Sequence, residues 1–467
     1  MSISSTGIGS GLDVKSIVSQ LVAIERQPLV PLKTAATKIQ SQVSTYGTLK
    51  SQVTALGDAA AVLAGAGGWG AQKATSSNSA AVAVTAGTTA ASSALTVSVQ
   101  QLAQAQAVTS VGVKAGDPAL AAGQLSIQLG TWPATGSIPP DGTAFTVDVS
   151  ATDSISTIAA AINAANKGVT ATVLNDGIND RLVVRSSSTG AANGFEITAT
   201  GNTELAAFGF TKSAATEPSA SSMYMGQGAL DANLEVNGVK MSSATNNMSN
   251  VIPGVSLQLL QTTTAGVDIA VTQDKDAVQK NIQGFVDAYN ALNQTISDAT
   301  KYNATTKTGG ALQGDATTLG LQGALRSMFG SSSTGSSFTS LSQAGIERQT
   351  DGSLKINSTK LDSAKLDMSN LQKLFTTDNG NASTNGFGLK VRDFSRGMIA
   401  FDGRITNKAT ALQGAIARNT KDQDRVNERA ARVEVQLLKQ YTALDTQMAQ
   451  WTSLSSYMTA QLAQWNK

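Results

Sequence analysis

Toward its C-terminus this 467-residue chain carries Leu412, Ile416, Asn419, Gln423, Val426, Ala430, Val433 and Leu437 at alternating steps of three and four. Such a seam belongs to a long helix that pairs with another helix. After one extra step of four to Tyr441 it resumes through Leu444, Met448, Trp451, Ser455, Met458, Leu462 and Trp465, an insertion that locally unwinds a supercoil. No proline follows Ile405. At about 1.5 Å per residue the segment can run for roughly 90 Å, longer than a globular domain of this size requires. Its charges are uneven as well. Arg418 to Lys439 holds six basic and four acidic residues, whereas from Gln440 onward only Asp445 and Lys467 are charged. The first stretch reads as solvated, the second as a face buried in an assembly.

The other end of the chain has the same character. Asp13 precedes an apolar run in which Ile17, Val18, Leu21 and Ile24 form one stripe, predicting a helix from Val14 to Glu25 with the Asp13 carboxylate capping its free amides. Pro28 and Pro31 are expected to break the chain there. A second helix then carries Leu32, Ala36, Ile39, Val43, Tyr46, Val53 and Ala60 at coiled-coil spacing. Gly and Ser between residues 65 and 79 end it.

Between these ends the pattern changes to period two. Leu95, Val97 and Val99 alternate, as do Leu125, Ile127 and Leu129, and then Phe145, Val147 and Val149. An Ala-rich helix from Ser154 to Asn166, with Asp153 as its expected cap, separates them from strands at Val169 to Val173, Leu182 to Val184 and Phe195 to Ile197. A Ser/Thr/Ala/Gly-rich gap, Thr211 to Gly228, precedes strands around Leu234 and Val236, Val255 to Leu259 and Val267 to Val271. Asn237-Gly238 predicts a tight hairpin. Helical periodicity returns at Ala277 through Ile282, Phe285, Tyr289, Leu292 and Ile296. The chain leaves a helical region, builds β structure and returns to helix. The expected fold class is α+β multidomain: long N- and C-terminal coiled-coil helices form a stem, and mostly-β domains are nested between them.

Composition narrows the function. Apolar residues make up 41%, enough for real cores, but aromatics are only 4% and charged residues 14%. Basic and acidic residues number 34 and 32, a net charge of +2, so neither nucleic acid nor an anionic membrane is favoured as a partner. The chain has no Cys and no His. That removes thiolate nucleophiles, Ser-His-Asp triads and His-ligated metals together. No stretch is apolar over the ~18 residues that a membrane-spanning helix needs, and a secretory leader is not expected at the N-terminus. The turns Asn175 to Asp180 and Asp378 to Asn381 place oxygen ligands beside a glycine, yet lack the spacing and final bidentate Glu of a calcium loop. Hairpin turns are the expectation, with no cofactor, no metal and no enzyme activity.

Ile8-Gly-Ser-Gly-Leu-Asp13, then Ile17-Val-Ser-Gln-Leu-Val22, Glu25-Arg26 and the Pro-Leu step at 28 and 29 resemble the N-terminal signature of the bacterial flagellar filament cap family, also called hook-associated protein 2. Gln101-Leu-Ala103, Val236-Asn-Gly238, Val251-Ile-Pro-Gly-Val255 and Phe285-Val-Asp-Ala-Tyr-Asn290 extend the resemblance, and Ser154 to Thr198 is similar to a small repeat shared with flagellins. Flagellins and hook-filament junction proteins share such terminal helices but lack the Gly-Leu-Asp and Val-Ile-Pro-Gly-Val runs. The resemblance implies a secreted, non-enzymatic protein at the distal tip of the filament. It would retain exported flagellin and promote its folding and insertion, with leg-like terminal helices contacting flagellin beneath a plate of head domains. An adhesin whose β region binds mucin or glycan is the alternative.

On this reading, residues 1–42 and 412–467 are leg helices, 43–76 and 274–411 a helical stem, 77–109 and 229–273 a β head, and 110–228 an outer variable β head with one helix. Expected partners are flagellin, hook-filament junction proteins, an export chaperone and the chain itself in a closed ring of roughly four to six copies. The residues expected at assembly interfaces are Leu12, Asp13, Ile17, Leu21, Ile39, Val43, Tyr46, Val433, Leu437, Leu444, Met448, Trp451, Leu462 and Trp465.

Overall fold

The computed structural model describes residues 13–114, 122–133, 136–139, 144–201, 203–212 and 222–465, with Trp465 described by its backbone alone. In chain order the helices are α1 (Val14–Glu25), α2 (Leu29–Ala64), α3 (Ile155–Ala165), α4 (Thr203–Ala206), α5 (Lys275–Thr300), α6 (Ala316–Phe329), α7 (Ser358–Ala364), α8 (Met368–Thr376), α9 (Phe387–Ile399) and α10 (Arg404–Trp465). Most of the described strands lie between α2 and α5, with α3 and α4 among them. The α+β class with long terminal helices and a mostly-β middle is what the structure shows. The chain forms two compact units, one ending at Trp69 and resuming at Lys275, the other spanning Gly70–Asp274.

In the helical unit, Tyr46, Leu49, Val53, Leu56, Ala60 and Leu63 recur every three or four residues along α2 and are buried with Val278, Ile282, Phe285, Tyr289, Leu292 and Ile296 of α5. Both stripes follow the 3.6-residue period, so each helix turns one continuous apolar face inward. Full burial of each large side chain is worth about 1.5–3 kcal/mol. Phe329 of α6 stacks on this seam, its ring centroid 4.4 Å from Tyr289 and 5.8 Å from Phe285. Where α2 meets α9, a Cβ at Gly57 would come 2.9 Å from the Ser395 Cβ. Only glycine lets the two backbones approach so closely.

The β unit contains two apolar cores. The first lies with a five-stranded antiparallel sheet ordered Gln72–Ser76, Val267–Gln273, Ser93–Gln101, Ala232–Val236 and Val239–Ser243, and with a three-stranded sheet of Asn247–Ile252, Val255–Leu259 and Val82–Ala86. Alternation buries Leu95, Val97 and Val99 on one face and leaves Ala94, Thr96 and Ser98 on the other. The hairpin between Val236 and Val239 turns through Asn237 and Gly238 at φ 49° and 84°, as Asn-Gly favours. The second core gathers Ile155, Ile158 and Ile162 of α3 with Leu125, Ile127, Val184, Phe195 and Phe208.

Local expectations are corrected at several points. Ser154, not Asp153, caps α3: its Oγ accepts from the Thr157 amide at 3.3 Å, while Asp153 accepts from the Ser150 amide at 2.8 Å. Pro31 does not break the chain, because it lies in the first turn of α2, where a missing N–H has no helical partner to lose. The Thr211 to Gly228 gap contains a strand, Tyr224–Gln227, paired with Ala107–Thr109. In α1 the buried stripe is Val14, Val18 and Val22, while Ile17 and Leu21 are half-buried and Ile24 is exposed. A one-sided partner selects the i, i+4 row rather than the wider stripe.

Candidate functional site

Asp13 opens α1 as expected, its Oδ1 accepting from the Ser16 amide at 3.0 Å. Successive contacts run up α10 as they run down α2 and α1. Tyr46 of α2 donates its hydroxyl hydrogen to Asp315, and Lys408 of α10 pairs with the same carboxylate at 2.9 Å. Higher up, the Asn419 side-chain amide donates to the Leu32 carbonyl at 3.1 Å, and Gln423 donates to Asn419 at 2.6 Å. Beyond them Arg429 pairs with Glu25 at 3.0 Å, and Val14, Val18 and Val22 pack on Ala430, Leu437 and Tyr441. Both N-terminal helices therefore lie antiparallel to α10. A buried Asn such as Asn419 in a heptad seam fixes register at some cost in stability, and half-buried Gln423 holds its side chain in place.

The lowest of these contacts is strongly polarised. Burial raises the Asp315 carboxyl, but the hydrogen bonds from Tyr46 and Lys408 outweigh it and hold the group near about 2. Burial and the Asp315 charge push the Tyr46 phenol up to about 12. Asp315 also caps α6 through the Thr318 amide at 2.9 Å, so one carboxylate ties α2, α6 and α10 together.

Above Tyr441 the cover ends. Leu444 and Met448 are each 42% exposed, Leu462 58% and Trp451 69%, and no described residue packs over them. Leu454, Tyr457 and Met458 are exposed beside them. This leaves roughly 27 Å of apolar ridge, at about 1.5 Å per residue from Leu444 to Leu462, facing solvent.

The structure thus separates the expected interface residues. Leu444, Met448, Trp451 and Leu462 form one bare face. Val433 and Leu437 are half-buried on the covered stretch of α10, and Ile39 and Val43 are half-buried on α2. Ile17 and Leu21 are half-buried on α1. Tyr46 belongs to the interior, 1% exposed. Leu12 lies outside the described residues, as does the side chain of Trp465. Sequence reasoning did not single out Asp315 or Lys408, and only the Asp at the position before α6 hinted at a cap.

Both turns weighed as cation loops have their oxygens occupied by their own chain. Asp176 accepts from the Asn179 amide at 2.8 Å and from Arg181 at 2.8 Å, which lower its carboxyl to about 2. Asn379 and Asn381 accept from amides two residues ahead at 3.0 Å each. No described helix is long and apolar enough to cross a membrane.

Family models match the chain in three places: the flagellar hook-associated protein 2 N-terminus over residues 10–106, the flagellin hook IN motif over 135–188, and the flagellar hook-associated protein 2 C-terminus over 229–453. The flagellar hook-associated protein 2 of Escherichia coli K12 is 33% identical over 475 residues, covering 98% of each chain. The B-type flagellar hook-associated protein 2 of Pseudomonas aeruginosa PAO1 is 29% identical over 482 residues, covering 98% of this chain and 97% of its own. A crystal structure of three domains of the Escherichia coli flagellar cap protein FliD matches with a TM-score of 0.57 at 32% identity, covering 79% of this chain and 99% of that one. With near-complete coverage at this identity, a matching fold and the terminal-helix architecture in place, the chain belongs to the flagellar hook-associated protein 2 family.

Proposed function

We propose that this protein caps the growing flagellar filament. Copies of it assemble at the distal tip, hold exported flagellin there and promote its folding and insertion, without catalysing a covalent step. The observation that carries this reading is the bare ridge from Leu444 to Leu462, a helix face patterned for a partner that the described residues do not supply. Each large apolar side chain covered on docking contributes about 1–2 kcal/mol, so the ridge can anchor the chain to flagellin helices. Export through the flagellar apparatus, with a dedicated chaperone, and neighbouring hook-filament junction proteins complete the expected set of partners. That the similar Escherichia coli structure is of a flagellar cap protein supports the same role. The adhesin alternative gains no specific support from the β unit.

Charge placed on the ridge tests the proposal, because burying an unpaired ion is expensive. Leu444→Asp and Trp451→Glu are expected to abolish filament growth and release flagellin into the medium, while Gln450→Glu, off the seam, remains motile. Circular dichroism of each variant should match the parent, since these side chains are exposed. Normal swimming by both ridge variants would remove the anchoring role.

A further inference from the structure

The turn between α9 and α10 displays Phe401 at 96% exposure, higher than any other large apolar side chain among the described residues. Beside it Asp402 is exposed and has no ion pair among the described residues. The turn is held firmly. Gly403 N–H donates to the Ala400 carbonyl at 2.9 Å, Asn407 donates through its side chain to the Asp402 carbonyl at 2.8 Å, and Thr406 donates to the Ile399 carbonyl at 2.9 Å. A Cβ at position 403 would meet the Met398 and Gly397 carbonyls at 2.5 and 2.6 Å, so the tight path depends on glycine. A rigid turn that presents an aromatic ring and a carboxylate together has the character of an anchor.

Near the opposite end of α9 lies a group of complementary chemistry. Lys390 is 8% exposed, and its ammonium donates to Ser331 Oγ at 3.0 Å and the Ser332 carbonyl at 2.7 Å, with the Phe387 ring centroid at 4.8 Å. All these neighbours are neutral, and no described carboxylate pairs with it. Burial lowers its pKa, as expected for an ammonium without a counter-charge. Lys390 lines a cavity of about 490 Å³ whose apolar walls include Ala324, Met328 and Phe394. Asp393 lines the same cavity, but its carboxylate is engaged by Arg392 at 2.7 Å rather than by Lys390.

We propose that the Phe401–Asp402 turn of one copy seats in the Lys390 cavity of the next, its carboxylate pairing with the ammonium and its ring packing against Met328 and Phe394. The contact rests on the reading that copies of the chain associate. Within one copy α9 carries Lys390 about 14 Å along its axis from the helix end at Ile399, and the turn beyond is held by its own hydrogen bonds, so the contact is one between copies. A knob and a hole on different parts of one surface give a head-to-tail contact, the kind that closes into a ring. Buried pairing of a lone ammonium also removes the cost of leaving it without a counter-charge.

The test uses the full chain with Phe401→p-benzoylphenylalanine, mixed from unlabelled and nitrogen-15-labelled copies and irradiated. Cross-links between copies are expected on the peptides that hold Met328 and Phe394. Self-association, followed by sedimentation, is expected to weaken about tenfold or more in Asp402→Asn and in Lys390→Met, and Asp402, being exposed, can be altered without disturbing the fold. Cross-links between copies that fall elsewhere, with unchanged association of Asp402→Asn, would overturn this contact while leaving copy-to-copy assembly intact. No association at any concentration would overturn assembly itself and the contact with it.

Discussion

Below Tyr441 the seam of α10 lies under α2 and α1; above it the same spacing of three and four meets solvent. In the lower half Ala430 is 0% exposed and polar side chains lock the register, with Asn419 on Leu32 and Lys408 on Asp315. In the upper half the ridge is broader and almost without charge. The lower half is a finished interface and the upper half an unfinished one. A heptad pattern declares that a helix has a partner, but not whether that partner is in the same chain.

Substitutions that treat the halves alike should therefore give different results. The largest effect is expected from Ala430→Asp, which places an unpaired carboxylate under α1 and costs that contact about 3 kcal/mol or more. Loss of α1 helicity by circular dichroism and rapid proteolysis after Arg26 would show it. Trp451→Glu in the upper half should shift the free energy of unfolding of the isolated chain by less than about 0.5 kcal/mol. Equal destabilisation by the two would erase the distinction.

A middle-sized effect is expected at Asp315. Its pKa is lowered to about 2 in the folded protein, so its contribution is fully present above the ordinary carboxylate range and is lost as pH falls from about 4 through 2. The shift corresponds to about 2 kcal/mol. Asp315→Asn should remove that amount at neutral pH and flatten the stability profile between pH 4 and 2 in denaturant titrations. A variant that keeps the parent's acid slope would show that the carboxylate is not the pin. The smallest effect is expected from Glu25→Gln. The Arg429 side chain is 69% exposed in that pair, and its loss should cost no more than about 0.5 kcal/mol.

What could be read before the fold was known followed local periodicity and local chemistry. The limits of α1, the Asp13 cap, the Asn237-Gly238 hairpin and the long C-terminal helix all depend on neighbours in sequence. The misread features depend on what lies across space. Pairing of Gln72–Ser76 with Val267–Gln273 joins segments nearly 200 residues apart, and no local signal marks it. Tyr46 fits the seam spacing, yet it faces Asp315 of α6 and is interior. Ser154 displaced Asp153 as a cap because α3 starts at Ile155, one residue later than expected, a difference within the usual blur of helix ends. Of the expected interface, the four bare residues of α10 were legible as a seam. Their lack of cover was foreshadowed only by the loss of charge after Lys439.

Amide hydrogen exchange along α10, measured for the free chain and for the chain on filament tips, tests the central claim most directly. Free protein should exchange slowly up to Tyr441 and quickly from Leu444 to Leu462, because among the described residues tertiary cover reaches the lower half alone. On filaments both halves should be slow. Rapid exchange from Leu444 to Leu462 in both states would contradict the account, since the bare ridge would then have no partner in the assembly.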